Sequence, residues 1–274
     1  MRYPNMARSF PAFPDGPYHF EITWLWVPFV TDAVSASRLI PAGSGLATVH
    51  PAASSPAPGS GPLDCDCAEM VANVADVTMS AQLPVPGETW KVRYHEAGIL
   101  VHCRRGRQDG HLAAVLYVDD CLAVLVGRES LGFPKKPGRV TLSVARQGGA
   151  PASAQGLARF RGVPVLQAAA TALGPSPVVP ALTQWWLEKL IPRADPADPA
   201  SAAVHELVQT DFANPTTVPG SVLAGPAALT LMDGGPESDD LATAIPVLRV
   251  AGGLHFASTF DLARGRCVAQ LPPA

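Results

Sequence analysis

Apolar positions in this chain recur mostly with a period of two, or as unbroken runs, and seldom with a helical period. From Trp90 to Glu96 the residues alternate. Val92, Tyr94 and Glu96 fall on one face of an extended segment, and Lys91, Arg93 and His95 on the other. Leu112–Val118 and Leu122–Val126 are nearly continuous apolar runs split by Asp119-Asp120, the pattern of strands buried on both faces. Arg139–Val144, Ala158–Val165, Ala227–Met232, Ile245–Val250 and Leu254–Thr259 predict further strands. Helical signals are confined to Leu182–Leu190 and Ala36–Leu39. The pattern predicts a mainly β (α+β) fold with a few helices, built on a closed or heavily curved sheet.

Composition narrows this picture. A chain of 274 residues and 28.5 kDa suits one large domain or two small ones. Its 29 prolines and 24 glycines predict short elements and many loops. Residues 41–62, rich in Ala, Gly, Ser and Pro and without periodicity, are expected to be a flexible surface insertion. The segments on either side are both strand-like and no repeat is evident, so residues 1–274 are read as a single domain. Charged residues make up only 16% and the net charge is −3, which argues against a nucleic-acid partner. The lack of an apolar run of about 18 residues argues against a membrane span. The N-terminus lacks the basic-then-apolar order of a secretory signal.

Five cysteines, Cys65, Cys67, Cys103, Cys121 and Cys267, form an odd set. That argues against a disulfide framework and predicts free thiols in a reducing cytoplasm. The Cys65-Asp66-Cys67 spacing is too tight for a structural zinc pair. The seven histidines show no metal-binding spacing, so neither metal nor cofactor is expected.

The candidate chemistry lies in Gly127-Arg128-Glu129-Ser130-Leu131-Gly132-Phe133-Pro134-Lys135-Lys136, which follows the most apolar part of the chain. A lysine of ordinary pKa, about 10.4, is an ammonium at neutral pH and cannot attack a carbonyl. Apolar burial and a neighbouring cation both disfavour the ammonium, and Arg128 and Lys136 are candidates for that cation. Lowering the pKa to about 7 requires on the order of 4 to 5 kcal/mol. The structural alternative is a solvated basic turn. Glu96, on the apolar face of its strand, needs a partner if it is buried. It is the candidate proton carrier; the alternative is a solvated strand-end carboxylate.

The same stretch, preceded by Tyr117-Val118-Asp119-Asp120, resembles the signature of the acetoacetate decarboxylase family. Ala12–Tyr18, Tyr94-His95-Glu96-Ala97-Gly98, Lys189-Leu190-Ile191-Pro192 and Gly225–Leu229 resemble other landmarks of that family, in order, from about Phe13 to Leu271. The resemblance implies an antiparallel cone-like β-barrel with flanking helices and a homo-oligomer. It implies that Lys135 forms a Schiff base with a keto acid, that Lys136, the second lysine of the pair, is not the nucleophile, that Glu96 is the active-site glutamate, and that Arg128 and Glu129 frame the turn. Asp76 corresponds to a second family glutamate. Trp24 and Phe133 are expected to line the substrate pocket.

One departure matters. The family carries an arginine shortly after the Gly-Pro-Tyr turn, but Pro17–Asp32 contains neither Arg nor Lys; Thr23 or Trp24 stands there. Two reactions stay open on these residues: decarboxylation of a β-keto acid, and condensation and dehydration of a 2-oxo acid with an aldehyde. A non-catalytic barrel that binds an apolar acid is the third reading.

Overall fold

The computed structural model describes residues 16–50, 66–83, 86–180, 182, 184–192, 202–210, 212–233, 241–263 and 265–272. The first half of the chain supplies the long strands. β1 (Tyr18–Asp32) leads into α1 (Ala33–Arg38) and the short β2 (Ala47–Thr48); β3 (Cys67–Gln82), β4 (Thr89–Arg105) and β5 (Gln108–Val118) follow. Next come α2 (Cys121–Val126), a π-helical turn (Gly127–Leu131) and β6 (Lys135–Pro137). β7 (Arg139–Gln147), β8 (Ala150–Phe160) and β9 (Val163–Ala170) form an antiparallel meander.

Beyond it lie β10 (Gly174–Pro175), β11 (Gln184–Pro192), β12 (Ala202–Thr210), β13 (Phe212–Thr217), β14 (Leu223–Gly225) and β15 (Ala227–Leu231). α3 (Leu241–Ala244), β16 (Arg249–Val250), β17 (Gly253–Leu262) and β18 (Arg266–Gln270) complete the chain.

Fourteen strands form the large sheet, whose main path is β10-β14-β17-β1-β3-β4-β5-β11-β12-β18; β15, β9, β8 and β7 form a second sheet. Pairing is antiparallel except where β5 meets β11 and β6. Among the described residues the large sheet's path starts at β10 and ends at β18 without closing on itself. The expected closed, cone-like barrel is therefore not seen; the fold is mainly β with few helices.

Alternation sets what each face buries. On β1, Phe20, Ile22, Trp24 and Trp26 face one core, while Leu25, Val27 and Phe29 face the other. The second sheet covers this other face, bringing Gly156 of β8 against Val74 of β3. The first core is the one that holds the candidate site.

Four expected elements need correction. Leu122–Val126 is helical: the Asp120 side chain caps it by accepting from the Ala123 amide at 2.8 Å, and Ala123 and Val126 point inward while Leu122 and Leu125 are exposed. Leu182–Leu190 instead lies largely in strand β11, where Trp185 and Leu187 enter one core and Trp186 the other. Ala158–Val165 spans a turn at Arg161 and Gly162, both at positive φ, that separates β8 from β9. Of Ile245–Val250 only Arg249–Val250 is strand, because the Ile245 amide closes the end of α3 on the Leu241 carbonyl.

Of the expected insertion, residues 51–62 lie outside the described residues, and Ala47–Thr48 just before them pairs with β4. Cys103, Cys121 and Cys267 are free thiols, but Cys67 is disulfide-bonded, which corrects the expectation for that residue. No described helix is long and apolar enough to cross a membrane.

Candidate active site

The path of the chain after α2 delivers Lys135 to the interior. The π-helical turn ends on Gly132, whose φ of +88° is left-handed and suits glycine. The Phe133 amide folds back onto the Gly127 carbonyl at 2.9 Å, and the Lys135 amide donates to the Phe133 carbonyl at 2.7 Å. β6 then runs parallel to β5, with Lys135 beside Leu116 and Lys136 beside Tyr117. Successive residues of a strand point to opposite faces. Lys135 thus enters the core of Trp24 and Trp185, whereas the Lys136 ammonium lies 5.8 Å from the Phe160 ring centroid under the second sheet. Gly127 is required by contact: a Cβ there would sit 2.5 Å from Lys135 Cδ and 2.9 Å from Cε.

At the end of that side chain stand two partners from β4. Lys135 Nζ lies 3.1 Å from Glu96 Oε2 and donates to Tyr94 Oη at 3.0 Å. Lys135 is 4% exposed and Glu96 5%. Nζ also sits 4.6 Å from the Tyr94 ring centroid and 5.4 Å from that of Phe133. Around them is a narrow cavity of about 20 Å³, walled by Phe20, Trp24, Phe133, Trp185, Phe212 and Phe260. Among the described residues lining it, Lys135 and Glu96 alone carry charge.

The electrostatics differ from the expected arrangement. Burial pushes the Lys135 ammonium toward release of its proton, but the Glu96 carboxylate and the Tyr94 hydroxyl outweigh it. The pKa of Lys135 therefore lies above the ordinary lysine value. Burial pushes the Tyr94 phenol up to about 12, so it stays protonated. The cations expected to lower Lys135 do not point at it. Lys136 leaves by the opposite face, and Arg128 is exposed, its guanidinium contacting only the Lys135 backbone carbonyl at 3.4 Å. Apolar walls alone thus do not neutralise this amine; the buried carboxylate decides its state.

The structure brings Lys135, Glu96, Trp24 and Phe133 together. Glu129 is exposed at the surface of the π-helical turn, where Lys189 holds its backbone carbonyl at 2.9 Å. Asp76 lies on the outward face of β3, in a two-point pair with Arg93 at 3.0 and 2.5 Å that keeps its carboxyl below the usual range. The inward neighbours at that level are Ala75 and Val77, so Asp76 does not reach the cavity. Thr23 is likewise outward, in the row of Asp76 and His95. Trp24 occupies the inward position, fixed by its indole N–H on Ser258 Oγ at 2.8 Å.

Sequence reasoning placed Tyr94 on the face of Glu96 but assigned it no role, although a phenol two residues from a candidate carboxylate on one strand face was the available signal. Trp185, Phe212 and Phe260 arrive from distant strands and left no local signal. Among the described residues no group of His, Cys, Asp or Glu could hold a metal ion.

Comparison with known proteins places the fold among relatives. An "Acetoacetate decarboxylase" of Streptomyces nogalater is 27% identical over 276 aligned positions, covering 98% of this chain and 96% of that protein. The fold is shared with an acetoacetate decarboxylase-like enzyme of Sphingomonas wittichii RW1 (TM-score 0.72, 20% identity, covering 96% of this chain and 97% of that one). It is also shared with the enduracididine biosynthesis enzyme MppR, complexed with the condensation product of pyruvate and imidazole 4-carboxaldehyde (TM-score 0.73, 22% identity, 96% and 93% covered). At these identities the structural likeness shows the fold alone. The sequence model of the acetoacetate decarboxylase family matches residues 2–271, and the chain belongs to that family.

Proposed function

We propose that the protein is a Schiff-base-forming carbon–carbon lyase that decarboxylates a β-keto acid, with Lys135 as nucleophile and Glu96 as proton carrier. The observation that carries this reading is the buried contact of 3.1 Å between Lys135 Nζ and Glu96 Oε2 in an otherwise apolar cavity. In such a cavity an ion pair is expensive to keep desolvated, whereas the neutral amine and carboxylic acid are not. Substrate entry, which displaces residual water, shifts one proton from Nζ to Glu96. Tyr94 holds the amine in place.

The neutral amine then attacks the ketone carbon, and Glu96 gives its proton to the carbinolamine oxygen, so that water leaves and an iminium forms. The bond to the carboxylate carbon breaks, CO₂ departs, and its electron pair enters the iminium to form an enamine. Glu96, reprotonated from water, gives a proton to the enamine carbon, and water hydrolyses the resulting iminium, which releases the ketone and restores the amine. The iminium accepts charge that develops only in the transition state, the condition for raising the rate. Desolvation is one of the two activation modes described for the lysine of acetoacetate decarboxylase. The aromatic walls suit a substrate with an apolar chain.

A second reading, condensation of a 2-oxo acid with an aldehyde followed by dehydration, uses the same lysine. Two observations favour it: among the described residues the lining lacks an arginine for a β-keto carboxylate, and MppR shares the fold.

Borohydride reduction in the presence of a keto acid, followed by peptide mass spectrometry, tests the shared step. An adduct on Lys135 that is absent in Lys135→Met supports it. No adduct in the wild type leaves only the non-catalytic binding reading. Carbon dioxide release against condensation product then separates the two reactions. The homo-oligomer implied by the resemblance and the cytoplasmic location read from the cysteines belong to the same proposal. A light-scattering mass equal to the 28.5 kDa monomer would remove the first.

A further inference from the structure

Behind Trp24, away from Phe20, the same interior face holds polar atoms that nothing satisfies. Asn73 is fully buried, and neither its Nδ2 nor its Oδ1 has a partner. The indole N–H groups of Trp26 and Trp185 and the Nδ1 of His111 are also buried and unpaired. These groups are neighbours. Asn73 stands opposite Trp26 in the β1–β3 register, and Trp185 stands beside His111 where β11 meets β5. The Trp26 ring lies 5.8 Å from that of His111 and 5.7 Å from that of Trp24. Trp185, 6.4 Å from Trp24, is itself a wall of the cavity.

The contrast with Trp24 is informative. Its N–H is committed to Ser258, so it is a fixed wall, whereas the N–H groups of Trp26 and Trp185 are uncommitted. A buried amide left unpaired is destabilising, and an apolar residue of the same shape would avoid that penalty. Asn73 sits among Val71, Ala75 and Leu100, where a leucine would be the ordinary choice. A cluster of several such groups points to a missing partner. The set is rich in donors: an indole N–H can only donate, and an amide supplies two further N–H bonds. It carries no cation. It suits an uncharged oxygen better than a carboxylate.

We propose that Asn73, Trp26 and Trp185 form a second subsite that binds a neutral oxygen-bearing group at the end of the substrate remote from its reacting carbonyl. The aromatic cavity then takes the middle of the chain. The substrate class becomes a keto acid with a polar but uncharged far end. This inference rests on the Lys135 reading for the orientation of the substrate, but not for the binding itself.

The test uses ligands that cannot form an imine. Titration calorimetry would compare a straight-chain carboxylic acid ending in a hydroxyl or carboxamide with its all-carbon isostere. The wild type is expected to prefer the oxygenated acid by tenfold or more. Asn73→Leu should erase that preference and raise the melting temperature, since it replaces an unpaired amide with a packed side chain. Trp26→Phe should weaken the preference without reversing it. Equal affinity for the two acids, binding of neither, or a lower melting temperature in Asn73→Leu would overturn the proposal. Borohydride trapping of a keto acid on wild-type Lys135 is run alongside. Its failure would remove the catalytic reading while the calorimetry still decides the subsite.

Discussion

At the scale of single residues, one contact governs the chemistry proposed for this protein. Glu96 raises the pKa of Lys135 against the opposing effect of burial. Removing its charge should therefore free the amine while removing the proton carrier. We expect Glu96→Gln to keep borohydride trapping on Lys135 while turnover falls by a factor of about 10² to 10⁴, the usual weight of general acid–base catalysis. Loss of both together would mean that Glu96 serves only to hold the lysine in place. His111 offers a prediction about stability. Burial, with His102 nearby, depresses its pKa to about 3. Between about 6.5 and 3 the unfolded chain binds a proton that the folded chain refuses, so stability falls as pH falls through that window. The slope from this residue approaches about 1.4 kcal/mol per pH unit. Urea midpoints from pH 7 to pH 4 should decline less steeply in His111→Phe than in the wild type; parallel curves would show that His111 titrates normally.

At the scale of elements, β4 was legible because one of its faces is polar. The alternation of Val92, Tyr94 and Glu96 predicted the inward face of β4, and that face carries the partners of Lys135. All-apolar runs were legible less evenly: Leu112–Val118 lies in strand β5 as expected, but others were not legible. Leu122–Val126 and Trp185–Leu187 both lack a polar position to mark the period, and they resolved in opposite directions, as helix and strand. The deciding signals were a capping aspartate in one case and burial on both faces in the other. The site motif was legible as a turn followed by lysine, but the resting charge of that lysine depends on β4, a separate element. The passage of Lys135 across Gly127 yields a further prediction. Gly127→Ala places a methyl group within 2.5 Å of Lys135 Cδ and must push the side chain from Glu96 and Tyr94. A cost of about 1 to 3 kcal/mol in stability is expected from overpacking. Turnover should fall by more than tenfold in protein that remains folded at the assay temperature. A folded Gly127→Ala variant with full activity would show that the path of the lysine is not fixed by this contact.

At the scale of the whole molecule, one sheet serves two purposes on its two faces. One face, covered by the meander of β7, β8 and β9 with β15, is a largely apolar core that also buries the unpaired indole N–H of Trp186; the other is lined with aromatics and holds both the ion pair and the unpaired amide. Because side chains alternate along each strand, a change confined to the first face is insulated from the second by the sheet's own hydrogen-bonded ladder. Gly156 provides the test. A Cβ at this position would meet Val74 Cγ2 at 2.5 Å and its Cβ at 2.7 Å, where the two sheets approach. Val74 belongs to the first core, while its neighbours on β3, Asn73 and Ala75, turn toward the second face. Gly156→Ala should therefore cost on the order of 1 to 3 kcal/mol as the sheets separate. It should leave kcat/KM within about twofold of the wild type at temperatures where the variant is folded. A large fall in kcat/KM in folded Gly156→Ala protein, measured with thermal unfolding on the same sample, would show that strain crosses the sheet and that the two faces are mechanically one unit.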